Sequence, residues 1–330
     1  MTILVTGGTG YIGAHVVRLL RDSGRAVVIV DDLVNGRAER NPGVPILEID
    51  LADPSSRSAL IAFMSAHQVD AVIHFAARKQ VAESVARPEW YYQQNVGGLA
   101  NVLSAMRQLA VGTIVFSSSA AVYGATEGEA VPESAPTVPV NPYGDTKLIG
   151  ERMIGASVAA YSLRACSLRY FNVAGAGWPE LGDTAVLNLV PMVLERVDAG
   201  ESPQVFGDTY STTDGTCVRD YIHVMDLAEA HIVALEHLSR NGAAHSIFNV
   251  GTGVGSSVLD VISEVAKATG KAEATPVILP PRPGDPAAVV ADPRLITEST
   301  GWHAKRGLHE IVASAWESHV FLGARAALDR

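Results

Sequence analysis

Residues 3 to 13 read Ile3-Leu4-Val5-Thr6-Gly7-Gly8-Thr9-Gly10-Tyr11-Ile12-Gly13, a short apolar strand that runs directly into a glycine-rich turn. Apolar residues then recur at helical spacing from Val16 to Leu20, which predicts a helix after the turn. Backbone N–H groups at such a helix start can bind a pyrophosphate, because glycine lets the chain approach closely and the helix dipole favours negative charge. The stretch therefore predicts a dinucleotide site beside the first strand of an α/β fold.

The second predicted strand, Ala26 to Val30, ends at two carboxylates, Asp31 and Asp32. An acidic residue at this position can accept the hydroxyls of an adenosine ribose and would repel a 2′-phosphate, which indicates NAD rather than NADP. A solvated aspartate at a strand end is the alternative interpretation, and the nearby Arg37 keeps NADP open as an alternative cofactor.

Short apolar strands alternate with helical patterns as far as Phe171. Further strands are predicted at 46–50, 71–75, 113–116 and 167–171, and helices at 55–67, 89–108 and from Asn141 onward. This alternation is typical of a doubly wound parallel sheet, the Rossmann type of α/β fold. After Asn172 the sequence becomes rich in Gly, Pro and acidic residues, and we expect a second, smaller α/β substrate domain. The predicted division is 1–172 plus about 220–250 for the first domain and 173–219 plus 251–330 for the second.

A candidate for proton transfer lies in the stretch Asn141-Pro142-Tyr143-Gly144-Asp145-Thr146-Lys147. Asn141 is a good N-cap and Pro142 suits the first helical position, so a helix is predicted to start here. Tyr143 and Lys147 then lie one turn apart on the same face. The ammonium is expected to lower the pKa of Tyr143, giving a group that takes and returns a hydroxyl proton. A surface tyrosine beside a solvated lysine is the alternative interpretation.

Polar residues at other strand ends are further candidates. The serines at 117–119 follow the fifth strand, at the edge where open α/β sheets bind ligands, although such a run can also form an ordinary turn. Asp50 is predicted to bind an adenine amino group or to cap the next helix. Asn95, an amide inside an apolar helix, is predicted to pin a neighbouring loop or to bind the nicotinamide ribose. His74 has apolar neighbours and is predicted to be a core histidine.

The composition excludes several classes of protein. The 330 residues carry a net charge of −10, which argues against binding nucleic acid over a broad surface. Cys166, Cys217 and the ten scattered histidines show no metal-ligand spacing, so no metal is expected. No apolar run reaches the length of a membrane span, and two cysteines in a chain of this length are typical of a reducing compartment. We therefore expect a cytoplasmic protein without membrane association.

Six segments together resemble the extended short-chain dehydrogenase/reductase superfamily, and within it the UDP-glucose (UDP-galactose) 4-epimerases. In chain order they are T-G-G-T-G-Y-I-G (6–13), H-F-A-A-R-K-Q-V-A-E-S-V (74–85), F-S-S-S-A-A-V-Y-G (116–124), N-P-Y-G-D-T-K (141–147), R-Y-F-N-V-A-G-A (169–176) and D-G-T-C-V-R-D-Y-I-H-V-M-D-L-A (214–228). The glycine motif is common to the superfamily, whereas the second and last segments are more particular to the 4-epimerases.

The resemblance implies a role for individual residues. Tyr143 is the implied acid and base, Lys147 tunes it and holds the nicotinamide ribose, and Ser119 bonds the reacting hydroxyl. The implied NAD-binding set, besides Tyr143 and Lys147, is Gly7, Gly10, Tyr11, Ile12, Gly13, Asp31, Asp32, Asp50, Leu51, Phe75, Ala76, Ala77, Lys79, Asn95, Ser117 and Tyr170. The implied set for the UDP-sugar, besides Ser119 and Tyr143, is Asn172, Asn188, Leu189, Phe206, Arg219, Arg282, Asp285 and Val289.

The implied activity is NAD-dependent interconversion of UDP-glucose and UDP-galactose through a 4-keto intermediate. Val289 stands where family members carry either Tyr or a smaller residue beside the sugar, so room for the N-acetylhexosamine pair is also implied. Ala121 replaces a threonine that is frequent in the family, which removes one possible sugar contact. Homodimers are usual in the family, and the helices at 89–108 and 147–161 are the implied interface.

Two alternatives stay open on the sequence. A dehydratase or decarboxylase acting on a nucleotide-sugar would use the same scaffold, but a dehydratase would need an acidic pair where Ala120 and Ala121 stand. A non-catalytic NAD-sensing or scaffold protein would have no need of Ser119, Tyr143 and Lys147 together.

Overall fold

A computed structural model of the chain describes residues 1–126, 130–240, 244–271, 275–282 and 284–328. The chain divides into two compact units. Unit 1 comprises Met1–Gly124, Pro136–Tyr170 and Ala228–Phe248, and unit 2 comprises Ala125–Ala135, Phe171–Leu227 and Asn249–Arg330. The division predicted from the sequence places 125–135 and about 220–227 in the first domain, whereas in the structure both segments cluster with unit 2.

Thirteen strands lie in the described residues. They are β1 (Thr2–Thr6), β2 (Ala26–Asp31), β3 (Ile46–Glu48), β4 (Val69–His74), β5 (Thr113–Ser117), β6 (Arg164–Tyr170), β7 (Asn172–Ala174), β8 (Gln204–Phe206), β9 (Val218–His223), β10 (His245–Val250), β11 (Gly255–Ser257), β12 (Val277–Leu279) and β13 (Ala288–Val289).

Eleven α-helices are described, together with a few single turns of 3-10 helix. They are α1 (Tyr11–Asp22), α2 (Arg57–Ala66), α3 (Val81–Ala86), α4 (Pro88–Tyr91), α5 (Gly98–Gln108), α6 (Pro142–Ala160), α7 (Leu189–Asp198), α8 (Val224–Arg240), α9 (Val258–Thr269), α10 (Arg294–Thr300) and α11 (Leu308–Leu328). A π-helical segment, Tyr92–Gly97, joins α4 to α5.

A seven-stranded sheet in the order β10-β6-β5-β4-β1-β2-β3 is the framework of unit 1. The pairings from β6 across to β3 are parallel. Leu4 and Val5 point to opposite faces of β1 and both are fully buried, so both faces of the sheet are covered, as is usual for parallel sheets. On one face, α2, α5 and α6 contribute Leu60, Leu99 and Ile154 to one core cluster with Leu4. The predicted doubly wound parallel sheet is confirmed.

This topology places the chemistry-bearing residues at one edge. The carboxyl ends of parallel strands lie on the same side of a sheet, and ligands of open α/β folds bind there. The glycine turn follows β1, the segment from Phe75 follows β4, and Ser118 and Ser119 follow β5. Unit 1 therefore carries the glycine turn, the segment from Phe75 and the predicted Ser119 hydroxyl on neighbouring strand ends.

Unit 2 has its own sheets and its own core. Strand β9 pairs in parallel with β7 and β13 and antiparallel with β11, and β8 pairs in parallel with β12. Helices α7, α9 and α11 pack Val193, Val261 and Ile311 against Tyr221 of β9. The second domain is thus an α/β unit, as predicted from the change in sequence after Asn172.

Several elements differ from the predictions. The helix predicted at 89–108 is interrupted by the π-helical segment, and α3 and α10 were not predicted. Strand β9 was also missed, as were β7, β8, β11, β12 and β13, each of which has only two or three residues and is too short to show a periodic pattern. The predicted strand at 46–50 ends at Glu48, so Asp50 lies beyond it.

Both cysteines are free thiols and both are buried. In the described ranges, no helix is long and apolar enough to cross a bilayer. The same residues contain no cluster of three or more His, Cys, Asp or Glu side chains that could hold a metal ion.

Candidate active site

The glycine turn is built so that no side chain can enter it. Gly7 has a φ of +69°, and a Cβ there would lie 2.8 Å from the backbone nitrogen of Ala76. A Cβ on Gly13 would lie 2.3 Å from the carbonyl oxygen of Gly7. Real Cβ atoms do not approach this closely, so the turn stays bare and its backbone remains open to a ligand.

The turn also fits a phosphate electrostatically. Gly10 is the N-cap of α1 and supplies no side-chain hydrogen bond, which leaves the first helical N–H groups for an anion. Tyr11 and Ile12 begin this helix. The Thr9 hydroxyl is fully buried and has no hydrogen-bond partner among the described residues. A bare glycine turn and an uncapped helix start together suit a dinucleotide pyrophosphate.

The predicted carboxylates have protein partners of their own. Asp31 accepts hydrogen bonds from the backbone N–H groups of Thr9, at 3.0 Å, and of Leu33, at 3.1 Å, so it ties the glycine turn to the end of β2. Asp32 accepts from the N–H of Val34 and is ion-paired with Arg78. Each oxygen has two acceptor positions, and these bonds leave acceptor capacity for ribose hydroxyls.

Asp50 caps a turn instead of a helix. Its Oδ1 accepts from the Ala52 N–H at 2.8 Å and its Oδ2 accepts from Gln94 at 2.9 Å. The next helical turn is capped by Asp53, whose carboxylate accepts from the N–H of Ser55. Leu51 is buried and belongs to the core cluster.

The segment after β4 is pinned by Asn95. Its Oδ1 accepts from the Arg78 N–H at 2.7 Å, and its Nδ2 donates to the Arg78 carbonyl and to Thr146 Oγ1, both at 3.0 Å. Asn95 therefore fixes the backbone of the neighbouring loop, which is one of the two roles predicted for it. Phe75, Ala76 and Ala77 of the pinned segment are partly buried, and Lys79 is exposed.

His74 is a core residue, as predicted. It is buried, and its Nδ1 lies 2.8 Å from the hydroxyl of Thr6. Burial and the charge of Lys147 lower its pKa to about 3, so the ring is neutral at physiological pH. Its imidazole is therefore not available as a general acid.

The helix that carries Tyr143 begins as predicted. Asn141 Oδ1 accepts from the Gly144 N–H at 2.9 Å, and Pro142 is the first residue of α6. Tyr143 and Lys147 are both buried, with 9% and 4% exposure. The Lys147 ammonium donates to the Ser117 carbonyl at 2.8 Å and lies 5.9 Å from the centre of the Tyr143 ring. The surface interpretation of this pair is thereby excluded.

The electrostatics differ from the sequence-based prediction. Burial raises the pKa of Tyr143, and an interaction with the Ser119 hydroxyl only partly counteracts this. The expected lowering of this pKa is therefore wrong for the protein alone, because loss of solvent outweighs the hydrogen bond with Ser119. Burial also lowers the pKa of Lys147 to about 8, while the charge of Glu151 raises it. The ammonium is thus still protonated at neutral pH.

The serine run after β5 has three separate functions. Ser117 offers its carbonyl to Lys147, and its hydroxyl lies 2.7 Å from the phenol oxygen of Tyr170. Ser118 donates to Glu151 at 2.5 Å. Ser119 begins a 3-10 turn, where its Oγ accepts from the Ala121 N–H. A single strand end therefore fixes Lys147, Glu151 and the hydroxyl predicted to contact the substrate.

In unit 2, the residues predicted to bind the nucleotide form two small groups. Arg219 is ion-paired with Asp285, and pairing of β13 with β9 puts Val289 opposite Arg219. The guanidinium of Arg282 lies 4.0 Å from the centre of the Phe206 ring. Both arginines thus have partners in the protein, and they could still present N–H groups to a diphosphate because a guanidinium has five donors.

The two predicted asparagines lie outside these groups. Asn172 begins β7 and is hydrogen-bonded to Tyr221. Asn188 is the N-cap of α7, before Leu189, and donates to Asp183 at 3.2 Å. Both are exposed in unit 2.

Comparison with known proteins gives a family for this arrangement. Residues 3–251 match the model of the NAD dependent epimerase/dehydratase family. The chain belongs to this family. It is 43% identical to a UDP-glucose 4-epimerase from Azospirillum brasilense over 96% of this chain and 91% of that protein.

Solved structures of family members have the same fold. A UDP-glucose 4-epimerase from Stenotrophomonas maltophila, with bound NAD and formylated UDP-arabinopyranose, superposes with a TM-score of 0.93 at 38% identity, covering 98% of this chain and 99% of that one. The enzyme from Bifidobacterium longum, in complex with NAD+ and UDP, gives 0.88 at 37% identity, covering 97% and 98%. The predicted resemblance to the 4-epimerases is confirmed.

Glu151 is a structural residue of this family member that the sequence motifs did not reveal. Glu151 and Arg169 form a buried ion pair at 2.6 Å, and Arg169 also donates to the Tyr123 hydroxyl at 3.0 Å. Glu151 follows Lys147 by four residues on α6, so helical spacing alone would have put both on one face. Glu151 also accepts a hydrogen bond from Ser118, and its negative charge raises the pKa of Lys147.

Glu151→Gln is expected to lower the free energy of unfolding by about 3 kcal/mol, because it leaves the buried charge of Arg169 without its counterion. Urea denaturation of the cofactor-free protein measures this change. Glu201→Gln is the matched control, since Glu201 is solvent-exposed in its pair with the half-buried Arg196, and its effect should stay below about 1 kcal/mol. Equal effects of the two substitutions would contradict the prediction.

Proposed function

We propose that this protein is an NAD-dependent UDP-glucose 4-epimerase, which interconverts UDP-glucose and UDP-galactose through a 4-keto sugar. The observation that carries the proposal is the buried pair of Tyr143 and Lys147, with the Ser119 hydroxyl beside the phenol. A buried phenol held next to an ammonium and a hydroxyl serves no evident packing purpose and is suited to moving one proton to and from a sugar oxygen.

The cofactor is proposed to bind along the strand ends of unit 1. The glycine turn and the start of α1 would hold the pyrophosphate, Asp31 and Asp32 the adenosine ribose, and Lys147 the nicotinamide ribose. When bound, NAD supplies a reversible acceptor for the hydride at sugar C4. Its positive pyridinium would also lower the pKa of Tyr143, since a nearby cation favours the phenolate.

The residues of the chain then have separate tasks. Tyr143 takes the proton from the sugar 4-hydroxyl as C4 is oxidised, and Ser119 holds that oxygen by a hydrogen bond. The 4-keto sugar rotates about its bond to the diphosphate and presents its other face. Tyr143 accepts that proton as the phenolate and returns it when C4 is reduced again, so the phenolate is restored in each cycle.

Rotation of the sugar requires that the nucleotide be held firmly and the sugar loosely. We propose that Arg219 and Arg282 bind the diphosphate, that Phe206 packs on uracil, and that Asn172 and Asn188 complete the contacts. We propose that the sugar itself meets small side chains, among them Ala121 and Val289.

An assay of the purified protein with UDP-galactose tests the proposal. Chromatography and mass spectrometry of the product should show an isomer of unchanged mass. A product that has lost water or carbon dioxide would instead establish a dehydratase or a decarboxylase. No turnover, together with no change in nicotinamide absorbance on adding nucleotide-sugar, would overturn the enzymatic proposal.

Val289→Tyr is expected to lower kcat/KM for UDP-N-acetylgalactosamine by roughly tenfold relative to UDP-galactose, since a ring beside the sugar occupies the space for the acetamido group. Parallel assays on the two substrates measure this ratio, and Val290→Tyr at the neighbouring position serves as a control. An equal loss on both substrates would show that residue 289 does not select the sugar.

We further propose a homodimer formed through the helices at 88–108 and α6, in the cytoplasm, where both buried thiols would stay reduced. Light scattering of the purified protein should give twice the chain mass of 34.7 kDa.

A further inference from the structure

Arg78 lies at the centre of a polar chain across the strand ends of unit 1. Its guanidinium is ion-paired with Asp32, and its Nε donates to Gln94 Oε1 at 3.1 Å. Gln94 in turn donates to Asp50 at 2.9 Å. The side chains of Arg78 and Asp32 are only 12% and 24% exposed. One arginine therefore links the two carboxylates that follow β2 and β3.

The strand order shows what this ion pair spans. Asp32 follows β2 and Arg78 follows β4, and β1 lies between these two strands in the sheet. The bridge between Asp32 and Arg78 therefore reaches across the end of β1, which is where the glycine turn begins. A dinucleotide bound at that turn would lie beside this bridge.

The bridge is held in place from both sides. The backbone of Arg78 is fixed by two hydrogen bonds, since its N–H donates to Asn95 Oδ1 and its carbonyl accepts from Asn95 Nδ2. Its guanidinium also lies 5.2 Å from the centre of the Trp90 ring, which limits the rotamers open to it. Asp32 is fixed by the N–H of Val34. Little conformational entropy remains to be lost when a ligand binds beside such a bridge.

We propose that Arg78 is a cofactor-retaining residue, whose bridge to Asp32 and Gln94 closes the groove over the adenosine half of NAD and slows its release. The inference rests on the proposed function, in which NAD is regenerated in each cycle and gains nothing from leaving. Arg78 also compensates the charge of Asp32, so that carboxylate stays oriented toward the ribose hydroxyls instead of turning into solvent.

The test is the rate of NAD release from the holoenzyme. Wild-type protein and Arg78→Met are loaded with isotopically labelled NAD and chased with excess unlabelled NAD, and the retained label is measured over time. Release from Arg78→Met should be faster by roughly tenfold, the change that about 1.4 kcal/mol produces. Arg78→Gln, which can reach only one of the two partners, should lie between them.

Arg87→Met is the matched control. Arg87 also stacks on Trp90, at 4.0 Å, but is ion-paired with Glu83 on the surface and does not contact Asp32. Its NAD release should equal that of the wild type. Thermal unfolding of the cofactor-free variants verifies that each is folded.

The outcomes separate this inference from the proposed function. Equal release from wild type and Arg78→Met would overturn the role of Arg78 while leaving the epimerase proposal intact. Equal acceleration by Arg87→Met would also overturn it, because the effect would then belong to the Trp90 stack. A wild-type protein that binds no NAD would overturn both proposals.

Discussion

Tyr143→Phe is expected to lower the rate of 4-epimerisation by about 10³-fold, because it removes the only group proposed to exchange the proton of the 4-hydroxyl. The substitution deletes one oxygen and keeps the ring, so the packing of the buried side chain is preserved. Initial rates with UDP-galactose under saturating conditions measure the effect.

Binding serves as the control for this variant. NAD content after purification and the dissociation constant for UDP should match the wild type, since the phenol oxygen is proposed to act in turnover and not in nucleotide binding. A rate within tenfold of the wild type would remove Tyr143 from the mechanism. A loss of NAD together with activity would instead indicate a cofactor-binding role.

Lys147→Met is expected to lower kcat/KM by roughly 10²-fold, since it removes a buried charge-assisted donor and the cation that favours the phenolate. The pKa of Lys147 lies at about 8, so the ammonium is present below that pH and lost above it. We therefore expect kcat/KM of the wild type to fall as the pH rises through about 8. In Lys147→Met, kcat/KM should show no such fall near pH 8.

Lys147→Arg is the matched control for charge. A guanidinium keeps its proton over the accessible pH range, so this variant should recover part of the activity and show no decline near pH 8. A pH profile of Lys147→Arg that coincides with that of the wild type would assign the decline to another group.

Local signals explain which parts of the fold were predictable. The glycine turn and the start of α6 are encoded by neighbouring residues, and Asn141 caps its helix as its sequence position suggests. Short apolar runs, such as Ile3 to Val5 and Ala26 to Val30, gave the central strands. These features depend on contacts within a few residues, which a single sequence displays directly.

Contacts between distant residues were not predictable in the same way. Arg78 and Asp32 are separated by 46 positions, and Arg219 and Asp285 by 66. Each arginine alone is equally consistent with a surface ion pair. The interruption of the helix after Tyr91 has a similar origin, since buried Asn95 bonds Arg78 and Thr146 from within the π-helical segment. Such segments frequently occur at functional sites.

The pKa of Tyr143 illustrates a different limit. Sequence spacing places an ammonium one turn away but says nothing about the depth of either group. In the structure, the burial of Tyr143 determines the direction of the pKa shift, because burial raises the pKa of the phenol. The proximity of the pair was therefore predictable, and its energetics in the protein alone were not.

The two buried thiols have a practical consequence for measuring motion. Burial raises the pKa of both Cys166 and Cys217, so neither should react readily with maleimides at neutral pH. A cysteine introduced at an exposed site can then be the single point of dye attachment in an otherwise unaltered chain. Fluorescence from such a probe would follow substrate capture in real time without prior removal of native sulfhydryls.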